Sequence, residues 1–448
     1  MQRDAIDFGK TNISKLFVKL FIPTFMGLLF GALLNLADGI FVGRGVNSDA
    51  LAAVNIAAPV YTLVAGIALM FGAGVSVVAA IHLSHKNIKA ANINITQSFT
   101  VSLLITFIVV ATIAIFPEAT NRLFGGSELL ENYVVDYLRY ASFGLIGSAI
   151  LYVGLFIIRL DGSPQYAMLT NVIPACVNIF LDWYFVFPLQ MGIKGAALAT
   201  SISEGIGVIM VVIYFARLRK TVSIHLPKFS SKAIRLTMRN VGYMVKVGFP
   251  TFVGETAQTC MMIVGNFMFM NRLHEDGVAA FSVACYLFPL VFMFGNAIAQ
   301  SQLPIISYNH GLGDTSRVRK TFRFSMSLAV CCGLVITLAV AMLSPTILRL
   351  FLGDQQGPLI IGMHGLPIFS MSFVLFTLNV VLIGYLQSLE KARMATFFML
   401  LRGYIFILPC FLLLPALVGN DGLWLAVPVS EALTLVVISM YYLRRLLM

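Results

Sequence analysis

Charge is what this sequence has least of. Only 11% of its 448 residues are Asp, Glu, Lys or Arg, and just 19 are acids, whereas 59% are hydrophobic. The mean hydropathy is +0.91. A water-soluble chain cannot hide that much apolar surface behind so few charges, so a soluble globular protein is excluded. Cysteine is also scarce: Cys176, Cys260, Cys285, Cys331, Cys332 and Cys410 all fall in apolar runs without CxxC spacing. They read as small core hydrophobes, which argues against a disulfide framework or a thiolate metal site. His82, His85, His225, His274, His310 and His364 lie mostly at loops or segment ends, with no metal-ligand spacing. No GxxxxGK[ST] loop is present to cradle a nucleotide phosphate. An enzyme, a resident cofactor and direct ATP use all lack support. No cleavable leader is expected either, because the first apolar run, from Leu16, is long and lacks a small-residue cleavage site.

What the sequence does have is long apolar runs. They lie near 16–42, 52–80, 93–116, 134–159, 166–187 and 194–216, then near 240–271, 278–307, 322–343, 361–388, 394–418 and 422–443. A helix needs roughly 20 apolar residues to cross a bilayer. The reading is an all-α integral membrane protein of twelve transmembrane helices, and 36 glycines suit close helix packing. Basic residues mark the topology. One side collects Arg3, Lys10, Lys15, Lys19, Lys86, Lys89, Arg159, the run from Arg217 to Lys246, Arg317, Arg319, Lys320, Arg323, Lys391, Arg393, Arg444 and Arg445. The other holds Arg44, Arg122, Arg139, Lys194, Arg272 and Arg349. This bias places both termini in the cytoplasm, with the protein in the cell (inner) membrane. The net charge of +11 is thus a topology signal; membrane lipid, not nucleic acid, is the anionic partner it implies.

The longest polar stretch, 217–239, reads as a basic cytoplasmic linker that divides the chain into an N-lobe, 1–216, and a C-lobe, 240–448. The halves align without gaps at an offset of 227 residues: Pro23-Thr24-Phe25-Met26-Gly27 meets Pro250-Thr251-Phe252-Val253-Gly254, and Ser203-Glu204 meets Ser430-Glu431. Lys19 likewise meets Lys246, and Gly195 meets Gly422. Six helices per half is an even number, so both halves run the same way. Two six-helix lobes related by a pseudo-two-fold along the membrane normal are expected, an arrangement that suits alternating access. A channel or a receptor needs no such duplication.

Several segments resemble the multidrug and toxic compound extrusion (MATE) transporters. They are Asn35-Leu-Ala-Asp38-Gly-Ile-Phe-Val-Gly43-Arg44, Ala50-Leu-Ala-Ala-Val54, Asn178-Ile-Phe-Leu-Asp182, Gly192-Ile-Lys-Gly-Ala-Ala-Leu-Ala-Thr200 and Pro304-Ile-Ile-Ser-Tyr-Asn309. The resemblance covers nearly the whole chain. It implies a V-shaped twelve-helix fold and export of organic, cationic and lipophilic compounds driven by inward flow of H+ or Na+. Within the family this chain is most similar to the branch whose coupling cation binds in the N-lobe, which implies a site at Asp38, Asn178, Asp182 and Thr200. Another branch uses acids in helices 7 and 10. Glu255 matches the first of these positions, but 361–388 contains no acid, which speaks against sodium in the C-lobe.

The acids well inside apolar runs are Asp38, Asp182, Glu204, Glu255 and Glu431. Each costs at least roughly 2.5–3.5 kcal/mol at mid-membrane, so each needs a partner or a task. Asn35 and Asp38 share a helix face, as do Asn178 and Asp182. Two carboxylates close together in an apolar cavity cannot both stay ionised, so the pair takes up a proton, or sodium if Asn178 and Thr200 add neutral oxygens. A hydrogen-bonded clamp between helices is the alternative. In the second half the same positions are Gly265, Ile405, Pro409 and Val427, which favours function over architecture. Glu204 and Glu431 are equivalent, so a shared structural role is expected, with a relay as the alternative. Arg402 lies too deep to snorkel; its expected anion is Glu255, in a pair that shapes the C-lobe cavity. Pro23 and Pro250 are expected to kink their helices, and Pro23 is a candidate hinge. With 21 Met and 36 Phe available, an apolar, aromatic, Met-rich cavity is expected. The whole reads as a monomeric cation-coupled antiporter. The alternative is a flippase for a lipid-linked saccharide or polysaccharide precursor, which requires a basic groove in the cavity.

Overall fold

The computed structural model describes residues 7–46, 48–124, 128–225, 230–353 and 356–447. They form helices α1 (Ile13–Gly45), α2 (Ser48–Ser84), α3 (Ile88–Ile115), α4 (Pro117–Leu123), α5 (Glu128–Leu160), α6 (Pro164–Val186) and α7 (Gly192–Ile213). The chain continues through α8 (Ser231–Gly311), α9 (Thr315–Leu352), α10 (Gln356–Ser388), α11 (Ala392–Leu400), α12 (Ile407–Val418) and α13 (Asp421–Leu447). Helix is the form in which an apolar segment satisfies its own backbone polar groups without water. Eleven helical stretches are long and apolar enough to cross a membrane. One of them, the 81-residue α8, is broken at His274, whose φ of 52° and ψ of −152° are non-helical. Its two parts supply two spans, so the described residues carry the twelve spans read from the sequence.

The helices outrun their apolar cores by several residues because polar caps extend them. Asn12 accepts from the Ser14 and Lys15 amides at 3.0 and 3.5 Å to start α1. Asn87 accepts from Ala90 N at 3.1 Å for α3, and Ser230 from Ala233 N at 3.2 Å for α8. α1 stays helical through Pro23. Two π-helical turns, Tyr214–Leu218 and Leu401–Ile405, follow α7 and join α11 to α12. Of the cysteines, Cys285 and Cys410 are buried, but Cys176 and Cys331 lie exposed on their helices, so the expectation of six core thiols holds only in part.

By packing, the chain separates into two units. One comprises Met1–Glu255 with Ser307–Thr315; the other comprises Thr256–Ile306 with Ser316–Met448. This division cuts α8 at Glu255, beyond the start of the second sequence repeat. In the first unit α2 packs on α3 and α5, α5 on α7, and α6 on both α1 and α7. The early part of α8 crosses α2 backbone to backbone: a side chain at Gly74 would strike the Met244 carbonyl, and one at Gly248 the Met70 carbonyl. In the second unit α13 packs on α10 and α12 around an aromatic core. There the rings of Phe269 and Phe281 stack at 4.5 Å, and Trp424 meets Phe269 edge-on at 4.8 Å.

The stretch 217–239 is not one loose connection. Helix resumes at Ser231, and residues 219–225 are bound to the first unit. The buried Asp161 carboxylate accepts from the amides of Lys220 (2.7 Å), Thr221 (2.8 Å) and Val222 (3.1 Å), and from the Tyr214 hydroxyl (2.8 Å). Ser223 N donates to Asn92 Oδ1 at 2.9 Å and His225 N to Thr96 Oγ1 at 3.1 Å. Residues 226–229, within this stretch, lie outside the described residues, as does Arg3. The N-terminal segment is fastened too: Asn309 Nδ2 donates to the Phe8 carbonyl at 3.1 Å, and the Phe8 and Tyr308 rings lie 5.8 Å apart.

Candidate functional site

The site is built where α1, α6 and α7 converge in the first unit. Asn178 and Asp182 are one turn apart on α6, and both are fully buried. With its amide oriented by its surroundings, Asn178 donates to Asp182 Oδ2 at 2.8 Å and accepts from the Thr200 amide at 3.1 Å. It thereby ties α6 to α7. The Thr200 hydroxyl bonds back to the Ala196 carbonyl at 3.2 Å. Asp38 approaches from α1, close enough for its charge to act on Asp182. The side chain of Asn35, the expected donor to Asp38, lies outside the described residues.

Among the described residues, buried oxygens on Asp38 (Oδ1) and Asp182 (Oδ1) have no hydrogen-bond donor. Buried polar atoms are nearly always paired, so two such carboxylate oxygens within electrostatic reach of each other single this cluster out as a candidate site. The donor set is all oxygen: carboxylates, an amide and a hydroxyl. That chemistry fits a proton or a hard cation and does not suit a soft metal.

Two further residues join the site that were not singled out from the sequence. Tyr61 of α2 and Tyr137 of α5 hold their rings 6.0 Å apart, within electrostatic reach of both Asp38 and Asp182. The buried Tyr61 hydroxyl faces that of Tyr137, its side-chain hydrogen-bond partner. A signal for them was present in the duplication: their counterparts 227 residues on are Phe288 and His364, so neither phenol is repeated. Thr24, directly after Pro23 on α1, is buried with its hydroxyl unpaired among the described residues.

The other buried charges form a different pattern. Arg402 was expected to meet Glu255; its anion is Glu431 instead. Arg402 Nε donates to Glu431 Oε1 at 2.7 Å and to Oε2 at 3.0 Å. Asn379 Nδ2 adds a 2.7 Å bond to Oε2 and a 2.9 Å bond to the Glu431 backbone carbonyl. The guanidinium lies 4.1 Å from the Phe376 ring centroid. The π-helical turn Leu401–Ile405 carries Arg402, shifting the direction in which it projects from that of a regular helix. Glu255 belongs to the first unit, where it lies beside Gly66 of α2 and near Tyr152 of α5. Depth along the membrane suggested the wrong partner, because it carries no information about the direction in which a helix presents a side chain. Glu204 is also in the first unit, packed at Gly144 of α5, with Oε2 buried and unpaired among the described residues. The role expected to be common to Glu204 and Glu431 therefore does not extend to their partners.

Comparison with known proteins agrees with this architecture. The chain is similar to the multidrug export protein MepA of Staphylococcus haemolyticus (strain JCSC1435), with 24% identity over 428 residues, covering 95% of this chain and 92% of that protein. It has the fold of a multidrug resistance MATE family transporter of the MOP superfamily solved in an outward-facing conformation (TM-score 0.89, 21% identity, covering 97% and 96% of the two chains). A variant of the Vibrio cholerae MATE transporter VcmN has the same fold (TM-score 0.88, 19% identity, 97% and 98% covered). The sequence pattern of the family described as MatE matches twice, over residues 23–184 and 250–412, and the two matches begin 227 residues apart, like the repeats. With most of its length matched by that pattern, this chain belongs to the MatE family of membrane transporters.

Proposed function

We propose that this chain is a secondary active antiporter that exports organic, cationic and lipophilic compounds in exchange for inward-moving H+ or Na+, with no resident cofactor. One observation carries the reading: the first unit buries two carboxylates, Asp38 and Asp182, within reach of each other and with oxygens unpaired among the described residues, while the second repeat has Gly265 and Pro409 in their places. A cation entering this pocket from outside neutralises buried charge, which changes the relative energy of two packings of α1 against α6 and α7. Asp38 and Asp182 bind the ion, while Asn178 and Thr200 orient Asp182 and complete the oxygen set. Pro23, which removes one backbone bond from α1, is where that helix yields. The relatives named as multidrug export proteins support the choice of substrate class. Substrate and ion take turns in alternating access between the repeats 1–216 and 240–448, in a monomer of the cell inner membrane with both termini cytoplasmic.

The flippase reading loses its motive. It needed a free cation in the cavity for a pyrophosphate, and the charge of Arg402 is spent on Glu431. The test of the antiporter is transport in proteoliposomes under separately imposed proton and sodium gradients. Uptake of a lipophilic cation is expected with one of the two gradients and is expected to vanish in Asp38→Asn and Asp182→Asn. Wild-type transport by both variants would overturn the coupling role.

A further inference from the structure

Apart from the ion site, the first unit holds a crevice of about 430 Å³ between α3, α5, α7 and the stretch that follows it. Phe99, Leu103, Ile150, Val211 and Phe215 give it apolar walls, and Arg219 stands among its lining residues. The rings of Phe99 and Phe215 meet edge-on at 5.5 Å and fix one wall. Among the described residues no acid lines the crevice. The exposed Arg219 side chain makes no hydrogen bond or ion pair with any described residue, and its backbone is held by a 2.8 Å bond from its amide to the Tyr214 carbonyl.

The level of this crevice in the membrane follows from α3. Before Phe99 the helix is polar: Asn92, Thr96 and Gln97 bond Ser223, His225 and Thr237. From Phe99 to Ile115 it runs about 26 Å at 1.5 Å per residue, close to the thickness of the hydrocarbon layer. Leu104, Phe107 and Ile108 on α3 and Ile209 and Val212 on α7 are exposed apolar side chains, as lipid-facing positions require. The crevice therefore begins at the polar boundary and descends into the hydrocarbon, with a free cation at its polar end.

We infer that this crevice is a binding site for an anionic phospholipid, with one acyl chain between α3 and α7 and the phosphate on Arg219. An amphipathic anion matches both halves of the site. A zwitterionic lipid matches less well, because its own ammonium competes for the phosphate and finds no acid among the lining residues.

The test uses the full chain, purified and delipidated, with native mass spectrometry reading the affinity for dioleoyl-phosphatidylglycerol and dioleoyl-phosphatidylcholine. Wild type is expected to retain the anionic lipid preferentially. Arg219→Gln should weaken it about fivefold, the effect of one interfacial cation, and leave phosphatidylcholine unchanged. Ala216→Trp, which fills the crevice, should weaken both lipids. Lys232→Gln, an exposed charge outside the crevice, should change neither. Equal retention of phosphatidylglycerol by wild type and Arg219→Gln would overturn the site. So would an equal loss in Lys232→Gln, which would signify diffuse surface attraction, or unchanged binding in Ala216→Trp, which would leave the acyl chain unplaced.

Discussion

Glu204 and Glu431 occupy the same place in the two repeats, each after a serine, yet their surroundings are opposite. Glu431 is held by Arg402 and Asn379 at 2.7 Å each, and the Arg402 guanidinium lies against the Phe376 ring. At the corresponding positions around Glu204 the sequence has Ala175 and Tyr152, and its Oε2 is left unpaired among the described residues. The contrast extends to Asp38 and Asp182, which have no guanidinium beside them in any described ion pair. One half therefore pairs its buried acid with a fixed internal cation, and the other holds acids that have none in the described ion pairs. A paired charge supports a structure; an unpaired one in an apolar bundle can respond to an ion. Duplication preserved the position of the glutamate without preserving its partners.

That contrast can be broken in order of effect. The largest change is expected from Asp182→Asn, which should reduce gradient-driven transport in proteoliposomes to the level of protein-free vesicles while the helical content seen by circular dichroism stays at wild type. Next comes Arg402→Met, which strands a buried carboxylate. It should destabilise the protein by about 3–5 kcal/mol, read from unfolding in detergent. The double variant Arg402→Met/Glu431→Leu should recover most of that loss, since an apolar replacement of both partners removes the unpaired charge. Full stability in Arg402→Met alone would end the distinction between the halves. Glu204→Gln should shift stability by no more than about 1 kcal/mol, in the stabilising direction, because an amide is easier to bury than a lone carboxylate. The smallest effect belongs to Tyr61→Phe. Deleting one neutral hydroxyl, bonded to that of Tyr137, should alter stability by about 0.5–1 kcal/mol while changing the apparent affinity for the driving ion.

Much of this was legible in the residues alone, for identifiable reasons. Hydropathy reports the spans because lipid imposes a fixed length on them, and the alignment of Pro23 with Pro250 reports the repeat because no gap has blurred it. Asp182 and Asn178 could be joined because four residues is one helical turn. Arg402 could not be joined to Glu431, because the two lie on different helices and only packing sets which faces meet. The π-helical turn Leu401–Ile405 compounds the difficulty: it alters the projection of Arg402, and the single glycine within it, Gly403, does not by itself signal a π turn. The 217–239 stretch reads as a linker because it is polar and basic, which says nothing of what it packs against. Its attachment runs through the buried carboxylate of Asp161 and through Asn92 and Thr96, all far from it in sequence. The break of α8 at His274 was legible, since charged residues around 272–276 separate two apolar runs.

The fastening of Phe8 by Asn309 bears on how the protein is made. The two residues are 301 positions apart, so the amino-terminal segment leaves the ribosome long before its anchor exists. Synthesis at about 5–20 residues per second sets a delay of roughly 15–60 seconds before that contact can form. During that interval the first unit must persist without its 307–315 segment, a period in which a chaperone or insertase at the membrane has access to the surface that Tyr308 and Asn309 later cover.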